Sequence, residues 1–416
     1  MTPPKLINST VILAALGYFV DLYDLVLFGM ERVSSLTDIL TKTLPADELI
    51  HLKSHITSAG ATLLNWQMVG MLLGGIFWGI LGDKKGRLSV LFGSIIMYSI
   101  ANILNGFVYD VTSYSVLRFI SGFGLAGELG AGITLVSEMF DKDKRGLGTT
   151  IVASVGLFGA VVAGMTTILI DDWRMSYFIG GGLGCMLLLL RIGVMESGMY
   201  HTIEKRNDVK KGNFLYLFSS KYILSKYIKI ILIAIPVWFV MLFFVQFSPE
   251  MAVFLGMIAP PTEARLPIMV AYMGITLGDV ASGLLSHRLR SRKVVLLIFI
   301  LLTLLFTILY YFFAAYSTFV FYTFVFLVGF ATGYWAVFMS SASESFGTNI
   351  RSTVTTTAPN MVRGSVTLMT LSHCYLKPSI GFIQSIACIG FVVFGLALWA
   401  ALTIDETFDK ELNYTE

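Results

Sequence analysis

The sequence predicts an all-α membrane protein of twelve transmembrane helices, arranged as two pseudo-symmetric six-helix bundles. Three observations predict it. Of 416 residues, 56% are hydrophobic and 13% charged, against about 45–50% and about 25% in soluble domains. Twelve runs have roughly the 20 apolar residues that a bilayer span needs. The two halves of the chain also echo one another.

Six spans fall near residues 8–30, 58–82, 88–108, 112–138, 146–170 and 174–195. A polar, lysine-rich stretch follows from Glu196 to about Lys226, and six more spans fall near 227–248, 267–288, 293–314, 317–341, 353–376 and 378–402. The expected division is an N-terminal bundle over 1–195, a linker over 196–226, and a C-terminal bundle with a short tail over 227–416. The first run has no small-residue cleavage site behind it, so it reads as a span and not as a leader.

Orientation follows from lysine and arginine. Lys84, Lys85, Arg87, Lys142, Lys144, Arg145, the linker, Arg288, Arg290, Arg292 and Lys293 all fall on one side, while Asp47, Glu48, Asp110, Asp171 and Asp172 mark the other. The positive-inside rule puts the first side, with both termini, in the cytoplasm. A bacterial inner membrane is the expected location.

The echo is specific. GILGDKKGR begins at Gly79, between spans 2 and 3; GLLSHRLRSR begins at Gly283, between spans 8 and 9. Glu138 precedes Arg145 after span 4, and Glu344 precedes Arg351 after span 10, at the same spacing. Both offsets are near half the chain, which argues for two parallel repeats.

GILGDKKGR resembles the loop signature of the major facilitator superfamily through Gly79, Leu81, Asp83, Gly86 and Arg87. RFISGFGLAGELGAGITLVSE on span 4 resembles its R-x-x-x-G-x-G-x-G signature through Arg118, Gly122 and Gly124. The continuation through Gly127 and Glu128 is similar to the metabolite:proton symporter and organic-ion branches, and Glu138, Arg145, Glu344 and Arg351 resemble residues of sugar-transporter-like relatives. MESGMY after span 6 and DETFDKEL in the tail resemble two further motifs of those relatives. The resemblance covers nearly the whole chain and implies a secondary transporter that works by alternating access. One departure matters: His287 stands where the first repeat has Asp83, and Arg290 where it has Gly86. The second copy of the loop is therefore expected to make the weaker gate.

Several function classes are excluded or disfavoured. The net charge of +3 does not call for nucleic acid. Cys185, Cys374 and Cys388 form no CxxC pair and sit in apolar runs, so neither a disulfide framework nor a metal site is expected. No cofactor is expected. There is no G-x-x-x-x-G-K-[ST] loop for an ATP-driven pump. The five histidines are scattered, which argues against a membrane enzyme. The expected partners are a small-molecule substrate, protons and the lipid bilayer, with the protein a monomer.

Asp83 and Arg87 lie in a tight inter-span turn with Gly79 and Gly86. The resemblance implies a charge clamp that closes a cytoplasmic gate; plain topology is the other reading. Glu138, Arg145, Glu344 and Arg351 lie at the same ends of spans 4, 5, 10 and 11. The resemblance implies an ion-pair network between the bundles, the alternative being solvated pairs worth under about 1 kcal/mol each.

Span 1 carries Asp21 and Asp24, three residues apart on one helix face. A carboxylate in hydrocarbon costs about 2.5–3.5 kcal/mol on insertion scales, so that face must look into protein or water. Asp24 and Arg118 of span 4 each lie about 9 Å below the outer surface at 1.5 Å per residue, so a pair between them is the economical expectation. Asp21 is then left over. Burial disfavours the charged form of a carboxylate, which suits Asp21, and secondarily Glu128, to proton coupling. A helix-packing hydrogen bond is the alternative for both.

Arg363 on span 11 is near mid-membrane with no acid within reach on its own span. Either Asp279 of span 8 neutralises it, or it binds a substrate carboxylate at the midplane. Asn360, one turn earlier, is a further donor, and Tyr23, Tyr334 and Trp335 are the expected cavity aromatics. Together these point to proton-coupled symport of a small organic anion. A carrier of a neutral solute or sugar, an organic-ion exporter or exchanger, and a non-transporting receptor are the alternatives.

Overall fold

The chain is described from a computed structural model, which covers residues 8–140, 142–195, 214–347 and 349–410. Its α-helices run in order: α1 Ser9–Thr43, α2 Leu52–Lys85, α3 Arg87–Asn105, α4 Val111–Leu125, α5 Glu128–Met139, α6 Lys142–Leu169 and α7 Trp173–Met195. The second half comprises α8 Lys221–Val240, α9 Ser248–Phe254, α10 Arg265–Leu289, α11 Arg292–Phe313, α12 Thr318–Thr332, α13 Trp335–Ser345, α14 Arg351–Ile380 and α15 Phe382–Thr403. They form twelve spans in two six-helix bundles. Eleven are long and apolar enough to cross a membrane; the twelfth is α14. Its polar sequence follows from its place, since every residue from Arg351 to Asn360 is buried in protein rather than facing lipid.

Side-chain caps start several helices. Asn8 accepts from Thr10 N and Val11 N at the head of α1, and Asp110 accepts from Ser113 N at 2.8 Å at the head of α4. Outside the spans, those bonds with Ser113 hold the Asp110 carboxyl below its ordinary range. Gly86 turns α2 into α3 at φ 90, a conformation that glycine adopts without strain. The second repeat makes the corresponding turn with Arg290 at φ 50.

Three spans are interrupted, where the sequence predicted continuous runs. Span 4 breaks between α4 and α5 at Ala126–Gly127, and span 10 between α12 and α13 at Gly333–Tyr334. Span 7 passes from α8 through a π-turn, Met241–Gln246, into α9. The breaks in spans 4 and 10 occupy corresponding places in the two repeats. In the other direction, α1 continues to Thr43, well past the predicted end at residue 30.

The bundles meet along α2 against α14 and α6 against α10. Small residues allow the approach: a Cβ added at Gly75 would lie 2.7 Å from Asn360 Cβ, and one at Gly283 2.7 Å from Thr150 Cγ2.

Candidate functional site

A narrow cavity lies between the bundles. Its aromatic wall is Tyr18, Trp238, Tyr272 and Trp335; Leu22, Leu25, Leu157 and Ile275 supply aliphatic surface, and Arg363 supplies charge. The Arg363 guanidinium lies 5.8 Å from the Trp335 ring centre and 6.0 Å from that of Trp238, within cation–π range. Arg363 Nη1 donates to Asn360 Oδ1 at 3.2 Å. Arg363 Nε and Trp335 Nε1 have no hydrogen-bond partner among the described residues.

Asp21 is fully buried, and neither carboxylate oxygen has a hydrogen-bond partner among the described residues. The cation whose field acts on it most is Arg363, from the other bundle, with Glu128 and Asp24 opposing. No direct ion pair joins Asp21 to Arg363. An acid and a base thus stand on opposite sides of the seam with bonding capacity to spare.

The other expected cavity residues are distributed differently. Tyr23 points into its own bundle, where its ring backs onto Gly180 and its hydroxyl has no hydrogen-bond partner among the described residues. Tyr334 donates to Ile233 O at 2.9 Å beside the break in span 10. Asn360 donates to Ala126 O at 2.8 Å, reaching the break in span 4, and steadies Arg363 from behind. Tyr18, Tyr272 and Trp238 take the lining places instead. The signal for Tyr18 was spacing: positions 18, 22 and 25 share one face of α1, and Tyr23 falls on another.

Asp24 makes no direct ion pair with Arg118, contrary to the expected contact. Asn102 of α3 accepts from Arg118 Nη2 at 2.7 Å through Oδ1, while both Asp24 carboxylate oxygens are without a hydrogen-bond partner among the described residues. Arg118 also donates to Asn105 Oδ1 at 3.3 Å and lies 4.8 Å from the Tyr177 ring centre. Arg118 is instead satisfied by the amide side chains of the neighbouring helix α3.

Glu128 is not a free carboxylate. Arg191 of α7 grips it with both terminal nitrogens, Nη1 to Oε2 at 3.1 Å and Nη2 to Oε1. Arg191 Nη1 also donates to Leu91 O at 3.0 Å, and Ser94 Oγ adds a 3.4 Å bond to Glu128 Oε2. Both charges are buried. The sequence reading missed Arg191 because it ends an apolar run, where an arginine reads as a membrane-interface residue.

Asp279 does not pair with Arg363. It accepts from Ala336 N at 2.7 Å and from Ser154 Oγ at 3.2 Å, so its charge sits at the start of α13.

On the basic face, Asp83 bonds across the seam. It accepts from Ser352 N at 3.2 Å, from Thr353 N at 2.8 Å and from Thr353 Oγ1 at 2.6 Å. It therefore caps α14 of the other bundle, while Arg87 Nη2 lies 3.7 Å away on its own helix repeat. Gly79 brings its carbonyl within 3.4 Å of Thr353 Oγ1, and Gly86 makes the turn behind them. Glu344 pairs with Arg292, Oε1 to Nη2 at 3.1 Å, and also accepts from Thr407 Oγ1 at 3.1 Å. Arg351 donates to Ser343 O at 3.1 Å and to Phe346 O at 3.3 Å. Glu406 of the tail caps α11 through Arg292 N at 2.8 Å, and these bonds hold its carboxyl below the ordinary range. The side chains of Glu138 and Arg145, and the MESGMY segment after Met195, lie outside the described residues.

On the opposite face a second set of cross-bundle pairs was not anticipated. Arg32 Nη1 meets Glu250 Oε1 at 2.8 Å, and Arg265 Nη2 meets Glu31 Oε2 at 2.9 Å. Ser176 Oγ also bonds Glu31, at 3.0 Å. The bundles are therefore joined on both sides of the cavity.

Two six-helix bundles, three of whose spans are interrupted, thus meet around a central cavity. The family model described as Major Facilitator Superfamily matches residues 15–366. The chain belongs to the Major Facilitator Superfamily, whose fold is that of transporters and not of enzymes. It is 28% identical over 158 residues to the putative niacin/nicotinamide transporter NiaP of Bacillus subtilis, covering 37% of this chain and 40% of that one. It is 24% identical over 356 residues to the probable 4-methylmuconolactone transporter of Cupriavidus pinatubonensis, covering 82% and 80%. Among solved structures, the proton:xylose symporter XylE bound to 6-bromo-6-deoxy-D-glucose superposes with a TM-score of 0.70 at 16% identity, over 97% of each chain.

Proposed function

We propose that this transporter is a proton-coupled symporter of a small organic anion, a carboxylate with a planar, unsaturated body. The observation that carries the reading is a buried Asp21 on one bundle and a cavity-lining Arg363 on the other, each with polar atoms that have no hydrogen-bond partner among the described residues. While Asp21 is ionised, it offsets the charge of Arg363 and repels an incoming carboxylate. When Asp21 takes a proton, Arg363 is free to bind the anion through its planar fork, with the unpartnered indole N–H of Trp335 as a further donor. Proton and anion then cross together with no net charge in the cavity. The Trp238 and Trp335 rings suit a flat ligand stacked beside the guanidinium.

The same reading makes the basic face cytoplasmic, the Asp83 cap on α14 the inner gate, and the Arg32–Glu250 and Arg265–Glu31 pairs the outer gate. The protein works as a monomer in a bacterial inner membrane.

The test is thermal stabilisation of the purified protein by nicotinate, benzoate, succinate and xylose. Nicotinate or benzoate is expected to stabilise, increasingly as pH falls. Stabilisation by xylose with no response to any carboxylate would replace the anion with a neutral solute.

A further inference from the structure

Asp279 is fully buried one turn before Gly283 on α10, and nothing in the proton and anion cycle above uses it. In the first repeat the cross-bundle carboxylate is Asp83, at the basic face. The corresponding residue of the second repeat is His287. Asp279 lies eight positions earlier on the same helix, about 12 Å deeper at 1.5 Å per residue. The second repeat thus has its cross-bundle carboxylate at the level of the cavity.

Its contacts are directional. Gly333, in the break of span 10, admits the backbone of α10: a Cβ there would lie 2.6 Å from Asp279 N. Asp279 Oδ1 accepts from Ala336 N at 2.7 Å, and the carboxylate also faces Trp335 N. A negative charge at the start of a helix is favoured by the helix dipole and satisfies N–H groups that have no partner in the helix itself. Oδ2 accepts from Ser154 Oγ of α6 at 3.2 Å, and α6 belongs to the N-terminal bundle. One carboxylate therefore bonds the first turn of α13 and the opposing bundle together. The residue that opens that turn is Trp335, whose ring lies 5.8 Å from the Arg363 guanidinium.

We propose that Asp279 is a positioning residue that ties the first turn of α13 to the N-terminal bundle through Ser154, so that Trp335 closes over Arg363 when the bundles dock. This rests on the reading of the Arg363 cavity as the binding site. When α6 and α10 separate, the Ser154 bond breaks, the first turn of α13 loosens and Trp335 leaves the guanidinium.

The experiment is hydrogen–deuterium exchange of the full-length protein in lipid nanodiscs, read at the amides of residues 335–339. Asp279→Ala removes the cap, and exchange there is expected to speed up about tenfold or more. Ser154→Ala removes the link to the other bundle, and a smaller acceleration at the same amides is expected. Asp279→Asn keeps an acceptor for the α13 amides and a donor for Ser154, so it should exchange like the wild type. Unchanged exchange in Ser154→Ala overturns the link between bundles. Asp279→Asn as fast as Asp279→Ala overturns the positioning role. If Asp279→Ala does not fold, the other two variants still decide. The readout needs no ligand, and nicotinate stabilisation is measured on the same samples. Exchange that changes as expected, with no carboxylate stabilising the wild type, sinks the site reading and leaves the positioning of Trp335 standing. Stabilisation with unmoved exchange does the reverse.

Discussion

Asp21 of α1 and Arg363 of α14 belong to opposite bundles and form no direct ion pair, and both Asp21 carboxylate oxygens and Arg363 Nε are without a hydrogen-bond partner among the described residues. The contrast with Glu128 and Arg191 is instructive. Those two sit at similar burial inside one bundle and close on each other with both terminal nitrogens. A pair that closes is structure. A buried acid and a cavity-lining base that do not close on each other leave each charge available to a proton or an anion.

Replacing Arg363 tests the anion half. Arg363→Ala is expected to weaken nicotinate or benzoate binding by at least tenfold, since a charge-assisted bond is worth about 1.5–3 kcal/mol. Arg363→Lys should recover part of this, because lysine offers a point charge and not a planar fork. Calorimetric titration of the two variants measures it, and unaltered affinity in Arg363→Ala would remove the anion from the account.

Replacing Asp21 tests the proton half. Asp21→Asn mimics the protonated acid, so Arg363 stays free and the ligand still binds. Uptake into liposomes driven by an imposed pH gradient should be lost, while exchange of labelled for unlabelled ligand should continue. In the wild type uptake should fall as external pH rises; in Asp21→Asn exchange should ignore pH. Gradient-driven accumulation by the variant would mean that the coupling proton goes elsewhere.

Asp83→Ala removes three bonds from the start of α14. The loss of such a cap costs about 0.5–2 kcal/mol, enough to shift a balanced two-state equilibrium severalfold. Spin-label distances between the basic-face ends of α5 and α13 should lengthen. A distribution that does not move would reduce Asp83 to a topology signal.

Arg191→Met strands Glu128 in the protein interior. Breaking a buried pair by removing one partner costs about 3–5 kcal/mol, so the unfolding temperature should drop sharply. Adding Glu128→Gln should recover most of it. If Arg191→Met is as stable as the wild type, the pair carries little of the N-terminal bundle's stability.

The spans, the repeat and the loop signature were legible in the sequence because each is a local pattern of apolarity, glycine and charge. Asp21, Asp83 and Arg363 were legible for the same reason, each being a charge where local chemistry does not allow an idle one. The partners were not. Asn102 on Arg118, and Arg191 on Glu128, depend on which helices neighbour one another, and equal depth does not by itself bring two side chains together. Glu31 and Arg32 lie past the predicted end of span 1, where adjacent opposite charges read as a loop. The continuation of α1 to Thr43 carries them to the C-terminal bundle instead. The interruptions in spans 4 and 10 were hidden because glycine within an apolar run serves helix packing as readily as a break.

The claim that a proton on Asp21 frees Arg363 for an anion is tested most directly by counting protons. Nicotinate and benzoate are titrated calorimetrically into the wild type and Asp21→Asn, in buffers of different ionisation enthalpy, at a pH where free Asp21 is charged. The account predicts about one proton taken up per carboxylate bound by the wild type and none by Asp21→Asn. Binding by the wild type without proton uptake, or the same uptake in both proteins, would contradict it.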